Sequence, residues 1–350
     1  MNSKPFSKLI AQATALTRRG SLTEATQAIQ RALHLSRKTQ AAPAEAADDV
    51  IVLDGLVREV ETPTAPPKTS PEPASFNELP FATPQGLRHY KLFLPAGLGD
   101  RRAPLVVMLH GCSQDPDDFA AGTRMNQFAQ ARGFRVLYPA QAQRSNAYKC
   151  WNWFRPGDQR RDAGEPALLA AITRHVMQTH AIDPDRIYVA GLSAGGAMSA
   201  ILAREYPDLF AAAGVHSGLA QGAANDVSSA FNVMKNGPSA VLEAPSASPV
   251  PMIVFHGDED STVHPRNGEH LVAGHAASEA SPGSAEGGRS YVRTTYRDTA
   301  GRPIAEHWLV HGSGHAWSGG SEEGSYTDPQ GPDATHEMLR FFGEHKRRSN

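Results

Sequence analysis

The sequence predicts an α/β fold with a mostly parallel sheet flanked by helices, and three observations carry that expectation. After Pro80 the chain alternates short apolar runs with helical stretches, the order that builds parallel sheets. Several of the runs are almost unbroken in apolar residues, as strands buried on both faces require. One run leads into a glycine-framed serine and then a helix, a turn that such sheets carry at their carboxyl edge. Of the 350 residues, 40% are hydrophobic, enough for a packed core, so a disordered chain is excluded. A net charge of −2 gives no electrostatic reason to expect nucleic acid or an anionic membrane as partner. No run approaches the roughly 18 to 20 apolar residues of a membrane-spanning helix.

Residues 1–38 read as a helical hairpin. Leu9, Ile10, Ala13, Leu16 and Thr17 share one helical face, Gly20 breaks the pattern, and Ser21 with Glu24 makes a capping box for a second helix. The hairpin either packs on the main domain or docks on a partner. Gln12 and Thr14 interrupt the apolar stretch and Arg18-Arg19 end it, so no signal peptide is expected and the chain reads as cytoplasmic. Residues 39–80 form a Pro/Ala-rich linker, with Pro43, Pro63, Pro66, Pro67, Pro71 and Pro73 fixing φ and removing donors. Within it, the apolar patch Val50 to Val60 can dock as a strand. The main domain is expected over residues 81–350.

In that domain the expected strands are Tyr90–Leu94, Leu105–Leu109, Arg135–Tyr138, Ile187–Ala190, Ala212–His216, Met252–Phe255 and His307–Val310. Expected helices are Asp162–His180, capped by Asp162, then Ala194–Tyr206, which stops before Pro207, and Asp333–His345. The small-residue stretch Gly218 to Pro249 holds an amphipathic piece at Val227 to Met234, and is either a cap over a cleft or a surface excursion.

The chemistry starts at Gly191-Leu192-Ser193-Ala194-Gly195, between a strand and a helix. The strained turn needs both glycines, and it presents the Ser193 hydroxyl at a helix N-terminus, where the dipole favours negative charge. A serine hydroxyl is inert without a base. In this architecture the order along the chain is Ser, then Asp or Glu, then His, each after a later strand. His315, in the loop after Val310, is the expected base, with His311 the alternative. After Phe255 come Asp258, Glu259 and Asp260. Asp260 sits at the loop apex and is favoured as the acid that holds the imidazole, with Asp258 a turn residue and Glu259 solvated. The loop after Leu109 offers the Cys112 amide, and the residue after the nucleophile offers the Ala194 amide, as the oxyanion hole.

Cys112 and Cys150 are the only cysteines. With Ser193 as nucleophile, neither is needed for attack. A Cys112–Cys150 bridge would staple the oxyanion loop to Cys150-Trp151-Asn152-Trp153-Phe154. Trp151, Trp153, Phe154 and Trp317 are expected to form an aromatic substrate wall or, alternatively, to fill the core. No metal or organic cofactor is required.

His110-Gly111-Cys112-Ser113-Gln114, Cys150-Trp151-Asn152-Trp153-Phe154, Gly191 to Gly196, His256-Gly257-x-x-Asp260 and Gly314-His315-Ala316-Trp317-Ser318-Gly319-Gly320 together resemble the polyhydroxybutyrate depolymerase family of esterases. The resemblance runs from about Phe81 to the end. It implies an α/β-hydrolase fold and hydrolysis of short-chain polyhydroxyalkanoates or related esters, in a family that is often secreted and also includes feruloyl and acetylxylan esterases. Without an expected signal peptide or a polymer-adsorbing module after the catalytic domain, soluble oligomers or small esters are the expected substrates. A non-catalytic binding protein on the same fold is the reading from a different class.

Overall fold

Among the described residues, ten strands form one sheet in the order β1-β2-β4-β3-β5-β6-β7-β10-β9-β8. The structure is a computed structural model that describes residues 72–83, 86–238, 250–286 and 288–347. The strands are β1 Ser75–Thr83, β2 Gly86–Leu94, β3 Ala103–Leu109, β4 Arg135–Pro139, β5 Ile182–Leu192, β6 Ala212–His216, β7 Met252–Gly257, β8 Ala277–Ser284, β9 Ser290–Arg297 and β10 Pro303–Val310. Strands β4, β3, β5, β6, β7 and β10 are mutually parallel, and antiparallel strands finish both edges.

The parallel strands are buried on both faces, as their apolar runs require. Alternate residues feed two cores. Leu105, Val107 and Leu109 of β3 face one of them with Ile187 and Val189 of β5. Val106, Met108, Tyr188 and Ala190 face the other. The first core is covered by α3 (Gly164–Thr179) and α4 (Ala194–Glu205), and the second by α1 (Pro116–Thr123), α2 (Met125–Arg132) and α7 (Ala334–Glu344). Two further helices, α5 (Val227–Asn236) and α6 (Arg266–Val272), follow β6 and β7. A two-stranded ladder, β11 (Trp317–Ser318) with β12 (Thr327–Asp328), folds the chain back after the expected base.

The structure corrects several expectations. The linker expectation reached residue 80, but β1 already begins at Ser75 and pairs with β2. Its Pro80, like Pro282 in β8, lies in an edge strand, where a missing donor is tolerated. Asp162 does not cap α3, because its φ is 59° and the cap residue is Ala163. One free N–H of the first α3 turn is served instead by Asp158, whose Oδ1 accepts from Glu165 N at 2.7 Å. Asp333 does cap α7, accepting from His336 N at 2.9 Å. The expected amphipathic piece is α5, with Asp226 and Ser229 forming its capping box. The expected hairpin, most of the linker and the patch Val50 to Val60 lie outside the described residues, as does any docking through the hairpin.

Candidate active site

Ser193, Asp260, His315 and the Cys112 and Ala194 amides follow the carboxyl ends of β5, β7, β10 and β3, and Cys150 lies in the segment after β4. Ser193 connects β5 to α4 with φ 57° and ψ −118°, a strained conformation for a residue with a side chain. Its neighbours leave no room for Cβ atoms. One added at Gly191 would stand 2.4 Å from the Gly195 carbonyl carbon, and one at Gly195 would stand 2.0 Å from Leu109 O. Ser193 N donates to His216 O at 2.9 Å, which ties the turn to the end of β6. The Ser193 hydroxyl has no hydrogen-bond partner among the described residues. Catalytic hydrogen bonds commonly tighten only once substrate is bound.

The structure brings Asp260 and His315 together. His315 Nδ1 donates to Asp260 Oδ2 at 2.8 Å, while Asp260 Oδ1 accepts from Thr262 N at 2.9 Å and Val263 N at 2.8 Å. The Asp260 side chain is fully buried. Burial opposes its ionisation, yet the bond from His315 and the Val263 N–H outweigh it and hold the carboxyl below its usual range. With Nδ1 committed to Asp260, His315 Nε2, which has no hydrogen-bond partner among the described residues, is left as the acceptor that a general base needs. His311, the alternative base, is paired elsewhere. Its Nδ1 donates to Asp258 Oδ2 at 2.7 Å, and Gly312 N donates to Asp258 Oδ1 at 2.7 Å. Asp258 therefore ties the acid loop to the base loop, and Glu259 is exposed.

The loop after β3 brings one expected oxyanion group, the Cys112 amide, toward Ser193, and the other, the Ala194 amide, opens α4 directly after it. A Cβ on Gly111 would lie 3.7 Å from Ser193 Cβ, and Gly111 N donates to Gln114 Oε1 at 2.9 Å. Neither the Cys112 amide nor the Ala194 amide donates to another group among the described residues. The loop is held from behind. His110 Nδ1 donates to Gly111 O at 2.8 Å, its Nε2 accepts from Gln141 N at 3.2 Å, and Trp151 Nε1 donates to His110 O at 3.1 Å. Burial pushes His110 down to about 4, and pushes His216 down to about 3, so both imidazoles are neutral near pH 7. Cys112 and Cys150 are joined in a disulfide across 38 residues of sequence. Replacing both by Ala is expected to cost about 2 to 4 kcal/mol of stability, read as a shift of the urea midpoint. Turnover is expected to fall with it, because the Cys112 amide loses its anchor.

The tryptophan wall is not there. Trp151 and Trp317 are each only 1% exposed and Trp153 5%, so all three pack in the core. Trp317 donates to Thr335 Oγ1 at 3.0 Å and stacks on His216, beneath the Ser193 turn. Trp151 supports the oxyanion loop through its bond to His110 O. Trp317 and Trp151 thereby support the Ser193 turn and the loop after β3, while Phe154, half-buried, packs edge-on against Trp153.

One buried group escaped the sequence reading. Glu165, in the first turn of α3, accepts from Asn152 N and Asn152 Nδ2, both at 2.6 Å, and from Gln141 Nε2. It thereby organises the segment that carries Cys150 and Trp151. A lone Glu in a helical first turn gives no local sign of that role. Burial outweighs the three donors and raises its carboxyl to about 6 from 4.5. Glu165→Ala would strand those donors and is expected to cost at least about 3 kcal/mol at low pH. The unfolded chain releases this proton near 4.5 and the folded chain only near 6. The wild-type margin over the variant is therefore full below the first value. It shrinks by about 2 kcal/mol as pH passes the second, as paired denaturation curves would measure.

A family model described as esterase PHB depolymerase matches residues 88–280. The chain is 33% identical over 249 residues to poly(3-hydroxyalkanoate) depolymerase C of Paucimonas lemoignei, covering 66% of this chain and 59% of that protein. It is 30% identical over 206 residues to feruloyl esterase B of Thermothelomyces thermophilus, covering 54% of this chain and 69% of that one. An acetyl xylan esterase from Aspergillus awamori superposes with a TM-score of 0.61 at 18% identity, over 77% of this chain and 99% of its own, a likeness of fold.

Proposed function

We propose, since the chain belongs to the esterase PHB depolymerase family and has the α/β-hydrolase fold, that it is a serine carboxylic ester hydrolase acting on short-chain hydroxyalkanoate esters. The observation that carries this reading is the buried Asp260, bonded to His315 Nδ1 at 2.8 Å on the rim that holds Ser193.

In the reaction, Ser193 Oγ attacks the ester carbonyl carbon while His315 Nε2 takes its proton. Asp260 holds the resulting imidazolium, and the Cys112 and Ala194 amides donate to the oxyanion. The carbon–oxygen bond to the alcohol then breaks, and the proton on His315 passes to the leaving oxygen. Water attacks the acyl-enzyme, gives a proton to His315, and the acid departs as Ser193 recovers that proton. Feruloyl and acetylated xylan esters form the second reading, supported by the likeness to feruloyl esterase B.

A fluorophosphonate probe is expected to label native protein on the peptide containing Ser193, detected by mass spectrometry. No labelling would favour the non-catalytic binding protein, and labelling elsewhere would move the nucleophile away from Ser193. Side-by-side kinetics on 3-hydroxybutyrate oligomers, amorphous polymer film, methyl ferulate and acetylated xylan then rank the substrates, with the highest kcat/KM expected on the oligomers.

A further inference from the structure

Five large apolar or aromatic side chains stand well exposed among the described residues, and two of them, Tyr148 at 76% and Tyr326 at 48%, flank the oxyanion loop. Both attach to Ser113, the residue after Cys112. Ser113 N donates to Tyr148 O at 2.6 Å, and Ser113 Oγ lies 3.3 Å from Tyr326 Oη. Tyr326 also sets its ring edge-on to the His315 imidazole, with centroids 6.4 Å apart.

The backbone that holds these rings is strained. Ser113, Lys149 and Tyr326 have φ of 63°, 54° and 54°, a region bulky side chains avoid. Such conformations persist only where the surroundings enforce them. Here the Cys112–Cys150 bridge grips one side. On the other, Trp317 N donates to Tyr326 O at 2.7 Å and Gln114 Nε2 donates to Ser325 O at 3.2 Å. The strain turns a large ring toward solvent, where it returns no core packing.

We infer that Tyr148 and Tyr326 are the residues that grip substrate, laying their ring faces against the repeating units of an extended aliphatic polyester chain. The inference rests on the ester-hydrolase reading above. A short hydroxyalkanoate unit offers methylene and methyl groups to an aromatic face and an ester carbonyl to a phenol hydroxyl. Tyr326, beside the base that protonates the leaving alcohol, meets the units on the alcohol side. A polysaccharide would need free polar side chains to meet its hydroxyls, and those beside the tyrosines are committed to one another. Gln114 serves Gly111 N and Asp118, while Asn146 serves Tyr148 N and Asn152.

The test compares the full chain with Tyr148→Ala, Tyr326→Ala and Tyr326→Phe on a 3-hydroxybutyrate trimer, p-nitrophenyl acetate and acetylated xylan. Each Ala variant is expected to raise KM for the trimer about tenfold with little change in kcat, so that the trimer-to-p-nitrophenyl-acetate ratio of kcat/KM falls about tenfold. Tyr326→Phe, which keeps the ring face, is expected to retain most of that ratio. An unchanged ratio, or a loss confined to kcat, overturns the inference, and so does a larger loss on acetylated xylan than on the trimer. If the unaltered chain shows no Ser193-dependent turnover of any ester, the ester-hydrolase reading itself falls, and the inference with it.

Discussion

Asp260→Asn is expected to lower kcat about 10⁴-fold while the protein still folds. The reason lies in what each carboxylate oxygen does. Oδ1 accepts two backbone N–H groups, from Thr262 and Val263. An asparagine must keep its carbonyl oxygen there, because an NH₂ group in that place would face two donors. Its NH₂ then points at His315 Nδ1, which must become an acceptor and leave the proton on Nε2. That tautomer cannot take the Ser193 proton. The two backbone bonds survive, so the melting temperature should change little. A variant with normal turnover would show that His315 does not depend on Asp260 for its tautomer.

Ser193→Ala is expected to lower kcat by about 10⁵-fold or more, with stability nearly unchanged. The hydroxyl has no hydrogen-bond partner among the described residues to strand, and alanine inherits the same backbone strain. Ser193→Gly should be equally inactive yet more stable by roughly 1 kcal/mol, since glycine adopts φ 57° without a Cβ penalty. Denaturation midpoints for the three proteins, measured beside p-nitrophenyl ester turnover, would test both halves. Equal stability of the glycine and serine forms would mean that the turn stores no strain.

Much of this was legible before the structure. The parallel strands announced themselves because burial on both faces leaves unbroken apolar runs. The turn at Ser193 was legible because it tolerates only glycine at positions 191 and 195, and the pairing of Asp260 with His315 because both leave the ends of neighbouring parallel strands. Edge strands were not. The edge strands β1 and β8 carry few buried residues, as does β9 beside β8, and Pro80 and Pro282 disguise the two at the edges. The tryptophans were misplaced because a loop sequence does not say which way a side chain faces, and three indoles turned inward. Glu165 and the Asp158 cap depend on partners brought in by tertiary folding, and Tyr148 and Tyr326 on backbone angles that no residue pattern encodes.

Asp260 and His315, the proposed acid and base, lie 55 residues apart in sequence, yet they leave the ends of adjacent parallel strands, β7 and β10. Everything between them, including α6, β8 and β9, departs from one strand and returns to its neighbour. The spacing of Asp260 and His315 is set by six ladder pairs from Met252 to Gly257, and not by the length of that excursion. The excursion can therefore be lengthened, trimmed or exchanged while the dyad keeps its geometry. It is the part of the scaffold where a designer, or descent with modification, has room to reshape the molecule without touching its chemistry.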